Sequence, residues 1–553
     1  MLRHAPIAIA VSLLVVGCGG GSSSKPDGGG TGGGSLGGAG MNADGGGLTG
    51  GGGTTGVVVP PTGTAIIKGQ QFALLDLGAP CTNEAGATGD RWCAFIGPSP
   101  AMPTNAALFA VNVSKVATGT AITCSATDAN CLDLIDTFGE DANHPALFNG
   151  DTLVYYDGLT GVPYGWRPGM TAGKALATIE SDSDVFCTPA AKGTAIYCGK
   201  VLPTAMQTDP MNTVLVDVLA GHLESAPLAK VETVIGASSA DMSVGHFQIG
   251  FPVAGGETIA WSARGTTTGP EVLKMQTMGN DASRATVASG VNAWSVSPDG
   301  ARWYWLTGVS ETTGVGALQS APFPAGTAPA AVASNVIMFD FPTPSSLALV
   351  DMAKNLTYFA DPAGAPTTST SLDTGVASFL SFDGKGTIAY VKTIVRNTDG
   401  SVKGSDLFVK KTDGTACTLT SASDAFPLDF SFTGSSKGAA WVQQTIVSAA
   451  PKYTRFSDCM KMTVPADSKF VFTRSLGDRG IIYLDGYDSA TGVATAKVKA
   501  LAADGALSAD PETVVSGGVG SLMVTASGGA DLFVYTVNTG GNDDGAYVRA
   551  FGP

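Results

Sequence analysis

Charge is scarce in this chain. Only 14% of its 553 residues are Asp, Glu, Lys or Arg, and 31 basic residues stand against 46 acidic ones, a formal net charge of −15. Nucleic acid and anionic membrane surfaces are recognised by clustered Lys and Arg that displace counterions, so both partner classes are excluded. Histidine is rarer still, four in all. No C-x-x-C pair occurs, so a zinc-type centre is not expected. Long helical periodicity is missing, as is any apolar run near the roughly 20 residues that a membrane-spanning helix needs. With 44% hydrophobic residues the chain can still bury a large interior, and its length exceeds what one small core requires.

The first residues carry an address. Arg3 and His4 precede an apolar run from Ala5 to Val16, the form of a secretory signal too short to span a bilayer. Val15-Val16-Gly17-Cys18 follows and resembles the lipobox of bacterial lipoproteins, with Val15 where Leu is usual. The resemblance implies that residues 1–17 are removed and that Cys18 is lipidated. Gly19, where an Asp often retains such proteins at the inner membrane, favours the outer membrane, on its periplasmic or its surface side. Between Gly19 and Gly56, 20 of 38 residues are Gly. That composition cannot bury enough apolar surface to offset ordering, so residues 18–63 are expected to be a flexible tether spanning on the order of 35 Å.

Eight cysteines remain beyond Cys18, an even number that suits disulfides in an exported protein. Short loops close most readily, which favours Cys81 with Cys93, Cys124 with Cys131, and Cys187 with Cys198, leaving Cys417 and Cys459 as a longer pair.

From residue 64 onward, short β-rich runs are broken by Gly, Asp, Pro and Ser, the spacing of an all-β sandwich, barrel or propeller. Two segments repeat most clearly, AWSVSPDGARWYWLTG from Ala293 and SFLSFDGKGTIAYVKT from Ser378. Each has a strand, an Asp-Gly turn and an aromatic, β-branched second strand. Weaker copies begin at Gly245, Leu428 and Ser521. Anchors in successive second strands are Phe95, Tyr155, Tyr197, Trp261, Trp305, Leu349, Tyr390, Trp441, Tyr483 and Tyr535. Their mean spacing, about 49 residues, suits a four-stranded propeller blade. Ser297-Pro298-Asp299-Gly300, and more loosely Asp383-Gly384-Lys385, resemble the TolB-type, WD40-like propeller repeats of exported bacterial proteins. The resemblance implies envelope partners but matches no partner-binding residue. Residues 64–553 are thus expected to form one β-propeller of four-stranded blades. Eight blades are favoured within a range of seven to ten, with two smaller propellers as the alternative. Thr64–Lys68 is expected to complete the last blade, which otherwise ends after three strands.

Chemistry is sparse. Gly434-Ser435-Ser436-Lys437-Gly438 fits the nucleophile pattern G-x-S-x-G, but it lies between two repeat strands with no following helix, so it reads as a hairpin turn. Asn397–Gly400 and Asn542–Gly545 offer oxygens for Ca²⁺ without the continuation of an EF-hand loop, and Ca²⁺ is the sole cofactor considered. His246, Asp340 and Asp429 fall in first strands, which line a propeller's channel, and together they form a candidate channel site for a cation or polar ligand. Trp303 and Trp305 should share one strand face and Tyr304 the other, favouring core packing over an exposed sugar platform. The expected function is a lipid-anchored, noncatalytic binding or scaffolding module for protein or glycan partners in the envelope. It would touch the membrane through the lipid alone. The rival expectation is a glycan hydrolase or lyase using channel carboxylates.

Overall fold

The computed structural model describes residues 60–551, except 76–79, 83–89, 103, 120–123, 126, 140–145, 181–182, 191, 204–214, 236–246, 251–255, 265–269, 311–312, 325–328, 361–368, 399–401, 421–424, 446–448, 465–471, 489–492 and 528–529. Within them the chain is almost entirely antiparallel strand. The repeat unit is plainest in Ser378–Phe382, Thr387–Arg396, Val402–Lys411 and Ala416–Thr420, four strands paired in sequence order. Its first turn forms because Asp383 Oδ1 accepts the backbone N–H groups of Lys385 (2.8 Å) and Thr387 (2.7 Å), while Gly384 takes a φ of +70°.

Among the described residues ten such units, blades 1 to 10, follow one another, each four-stranded except blade 2, where Phe138–Gly139 adds a fifth strand beside Thr152–Asp157. Blade 1 begins at Ala73–Leu74, and blade 10 is built on the second half of Glu512–Ser527. Some neighbours share a strand. Ala330–Asp340 closes blade 5 against Gly316–Pro322 and then opens blade 6 against Leu347–Asp351, turning at Asn335 with φ +57°. Glu512–Ser527 does the same for blades 9 and 10, bending at Gly517 and Gly518, whose φ values of +68° and +82° suit glycine.

All ten anchors lie on second strands. Nine are buried and Tyr197 is half-buried. Strand alternation sends neighbouring side chains to opposite interfaces. Trp303 and Trp305 pack against Ala260 and Leu273 of blade 4, whereas Tyr304 and Leu306 meet Leu347 and Leu349 of blade 6. The described core thus divides into ten clusters, each filling the gap between successive blades. The last joins blade 10 to blade 1, where Leu532, Val534 and Val548 meet Phe72, Phe95 and Phe109. The cycle is closed, as a propeller requires, and it is one cycle rather than two.

Thr64–Lys68 pairs with Gly545–Phe551, Thr64 opposite Val548 and Lys68 opposite Gly545, and supplies the outer strand of blade 10. Ring closure of this kind pairs the first described strand with the last and leaves one short outer edge, as in the other blades. The described residues form ten blades, at the upper end of the expected range rather than eight. The long intervals between Phe95 and Tyr155, and between Tyr197 and Trp261, belong to wide connections, among them the short helix Val113–Ala117, and no blade is lost there. Disulfides join Cys81–Cys93 and Cys124–Cys131 in blade 1, Cys187–Cys198 between the first two strands of blade 3, and Cys417 of blade 7 to Cys459 of blade 8. Cys18 lies outside the described residues. No helix among the described residues is long and apolar enough to cross a membrane.

Candidate binding cleft on the turn face

Antiparallel succession places the turns between strands one and two, and between strands three and four, on one face of the ring. From blade 5 to blade 10 the first turns are stitched together. Asp299 N–H donates to the Pro344 carbonyl (3.2 Å), and Gly386 N–H donates to that of Pro342 (3.3 Å). The Lys385 ammonium donates to the Gly434 carbonyl. Gly434 N–H reaches the Gly477 carbonyl (3.0 Å), and both the N–H and hydroxyl of Ser435 donate to Asp478 Oδ1 at 2.7 Å. Arg479 then pairs with Asp531 at 3.6 Å.

A cleft of about 150 Å³ opens on this face between blades 8 and 9. One flank is the turn holding Thr433 and Lys437; the other is Asp478 and the later turn through Leu501, Ala502, Ala503 and Gly505. The G-x-S-x-G segment is a hairpin turn, closed by Thr433 N–H to the Gly438 carbonyl (2.9 Å) and by Ser436 N–H to the Thr433 carbonyl (2.9 Å). Ser436 sits at φ +56° in the place that Gly300 holds in blade 5. The same segment positions Lys437 at the cleft, a consequence that its turn reading did not suggest.

At the bottom lies Tyr453, fully buried, its hydroxyl without a hydrogen-bond partner among the described residues. Burial pushes the phenol up to about 12, so it remains a proton donor at neutral pH. Glycines preserve the space around that oxygen. A Cβ on Gly438 would come within 2.4 Å of it, and one on Gly505 within 3.6 Å. Lys437 and Asp478 are both exposed, and neither forms an ion pair among the described residues. Arg455 nearby is held by Asp458 (2.5 Å) and Asp504 (3.4 Å). Two opposite charges thus stand above an apolar wall and a buried hydroxyl. Nothing in the repeat pattern marks Tyr453 or Asp478, which converge from separate blades.

A second polar cluster on the same face joins blades 2, 3 and 4. His222 lies 3.2 Å from Glu257 through Nε2 and 3.2 Å from the Thr194 hydroxyl through Nδ1. That hydroxyl also reaches Glu224 Oε2 at 2.6 Å, and Arg167 ties Glu224 (3.4 Å) to Asp151 (3.2 Å). Most of its polar groups bond to one another, as in a structural clasp, although Glu257 Oε2 makes no hydrogen bond among the described residues.

The channel residues fare differently. Asp340 ends the first strand of blade 6 on the same strand face as Met338, which packs toward blade 7. Burial raises its carboxyl above the usual range, opposed by the hydrogen bond it accepts from Phe341 N–H at 2.7 Å. Asp429 lies on the first strand of blade 8, so a whole blade separates the two strands. His246 lies outside the described residues. Among the described residues no group of three or more His, Cys, Asp or Glu is arranged to hold a metal. In Asn542–Gly545, Asp544 turns inward and accepts from the N–H groups of Thr539, Gly540 and Gly541, the arrangement of a capped turn rather than a cation loop. Asp399 and Gly400 of the other loop lie outside the described residues.

No protein-family model matches the chain, and no curated protein matches it. Solved structures do resemble it. A eukaryotic initiation factor shares 10% identity over 76% of this chain and 95% of its own, with a TM-score of 0.44. An oligogalacturonate lyase in complex with manganese shares 11% over 74% and 97%, at 0.33. TolB from Acinetobacter baumannii shares 12% over 60% and 81%, at 0.23. The fold is a β-propeller. A fold of this kind does not by itself select an activity.

Proposed function

We propose that this chain is a lipid-anchored, noncatalytic binding module of the bacterial outer membrane, presenting a rigid ring to protein or glycan partners of the envelope. The observation that carries the reading is how the tether meets the ring. Thr62 donates its hydroxyl to the Val514 carbonyl (2.8 Å) of blade 9 and accepts from the Tyr535 hydroxyl (2.6 Å) and Arg549 (2.8 Å) of blade 10. The described chain therefore enters the ring at its circumference, between two outer strands, rather than across a face. Anchoring through Cys18 would hold such a platform at the membrane by lipid alone.

Two experiments on the full chain test this. Cys18→Ser should move the protein from the membrane fraction to the soluble one; retention at the membrane contradicts lipid anchoring. Incubated with purified envelope glycan, the intact protein should leave the glycan undegraded. Release of unsaturated or reducing fragments would transfer the function to the hydrolase or lyase alternative and to the channel carboxylates Asp340 and Asp429.

A further inference from the structure

We infer that the cleft between blades 8 and 9 binds a small zwitterion, an α-amino acid with a short side chain, its carboxylate at Lys437 and Tyr453 and its ammonium at Asp478. The inference rests on the binding-module reading and gives that cleft a ligand class.

Three features select this chemistry. The first is size: a cleft of about 150 Å³ suits a ligand, or a ligand terminus, of a few non-hydrogen atoms. Charge is the second. Lys437 and Asp478 flank the same cleft, lie more than 4 Å from any ionic partner among the described residues, and come from different blades. Asp478 spends Oδ1 on Ser435, a bond that fixes the carboxylate at the mouth and leaves Oδ2 for a cationic guest. The third is the floor. Burying a hydroxyl without a partner costs free energy, so the Tyr453 oxygen is a position where an incoming acceptor gains a hydrogen bond at little cost. Leu501, Ala502 and Ala503 give one wall apolar character that suits a methyl-sized side chain. A sugar ring is disfavoured because the cleft offers it no aromatic face: Tyr453 is buried throughout.

Titration calorimetry with the full chain tests the inference, using alanine, N-acetylalanine, alaninamide and glycerol as probes. Alanine should bind, and capping either end should weaken binding by about tenfold or more. Lys437→Met should abolish the distinction between alanine and alaninamide, and Asp478→Asn the distinction between alanine and N-acetylalanine. Lys437 is exposed and makes no ion pair among the described residues, and the Oδ1 of an Asn at 478 still accepts from Ser435, so both variants should stay folded. Tyr453→Phe keeps the ring, removes only an unpartnered oxygen, and should weaken alanine several-fold while the protein stays folded. Absence of alanine binding at millimolar concentration, or unchanged affinities in both charge variants, overturns the ligand assignment and leaves the module reading standing. Chemical conversion of the bound probe would instead overturn the module reading.

Discussion

Blades 1–3 and blades 5–10 reach the same architecture by different means. In the first group several strands are only two residues long, Ala73–Leu74 and Lys174–Ala175 among them, and three disulfides hold neighbouring segments together. In the second, no described strand is shorter than four residues, the linked first turns run unbroken from blade 5 to blade 10, and the one disulfide joins two blades rather than staying within one. In blade 1 a disulfide closes beside the two-residue strand Ala73–Leu74, whereas in blade 3 it staples two strands that are already paired, Cys187 opposite Cys198. The lesson is that a blade can be defined by its buried second strand, while the means of holding its periphery varies along the chain.

The largest effect expected from breaking this contrast lies in the hydrogen-bonded half. Trp441 is buried between blades 7 and 8, its indole N–H donating to the Thr454 hydroxyl at 3.0 Å. Trp441→Ala should cost about 3–5 kcal/mol of unfolding free energy in a denaturant titration. Next comes the covalent half. Replacing Cys187 and Cys198 by Ser should cost about 3 kcal/mol on loop-closure grounds, and limited proteolysis should then cut within blades 1–3 before blades 5–10. Cleavage beginning in blades 5–10 instead would show that disulfides do not compensate for short strands.

A third test is pH-dependent. Asp133, on the outer strand of blade 1, has a buried Oδ1 without a hydrogen-bond partner among the described residues. Burial, aided by the Asp136 charge, lifts its carboxyl from 3.8 to about 6. A raised acid means that the folded state holds the proton more tightly, so stability falls as pH rises through that interval and the penalty is complete above it. Asp133→Asn should therefore raise the melting temperature at pH 8 and lose that advantage near pH 4. Smallest is Ser436→Gly in the hydrogen-bonded half, where the left-handed φ favours glycine; a gain of about 0.5 kcal/mol is expected in the same denaturant titration.

Much of the ring was legible because it repeats. An aromatic or large aliphatic residue at each second strand is required by packing between two blades, so Trp261, Trp305 and Trp441 announce themselves at regular intervals. Thr64–Lys68 was legible as the missing outer strand, since the last unit otherwise ends one strand short. The blade number was obscured where connections lengthen, as after Asn112 and Val201, because spacing alone does not distinguish a long loop from a lost strand. The cleft was not legible. Lys437 lies in a segment whose local pattern signals a turn, and its companions Tyr453 and Asp478 reach it only through the docking of two blades. Asp340 and Asp429 share the property of lying on first strands, which the repeat does reveal, but their separation depends on blade order and on which side of the strand each occupies.

The account depends on one ring of ten blades closed by the chain's own first strand. An experimental density map viewed along the channel tests this most directly. It should show ten blades around one axis, with Thr64–Lys68 forming the outer strand beside Gly545–Phe551. Eight blades, two separate rings, or a last blade closed by another segment would contradict it.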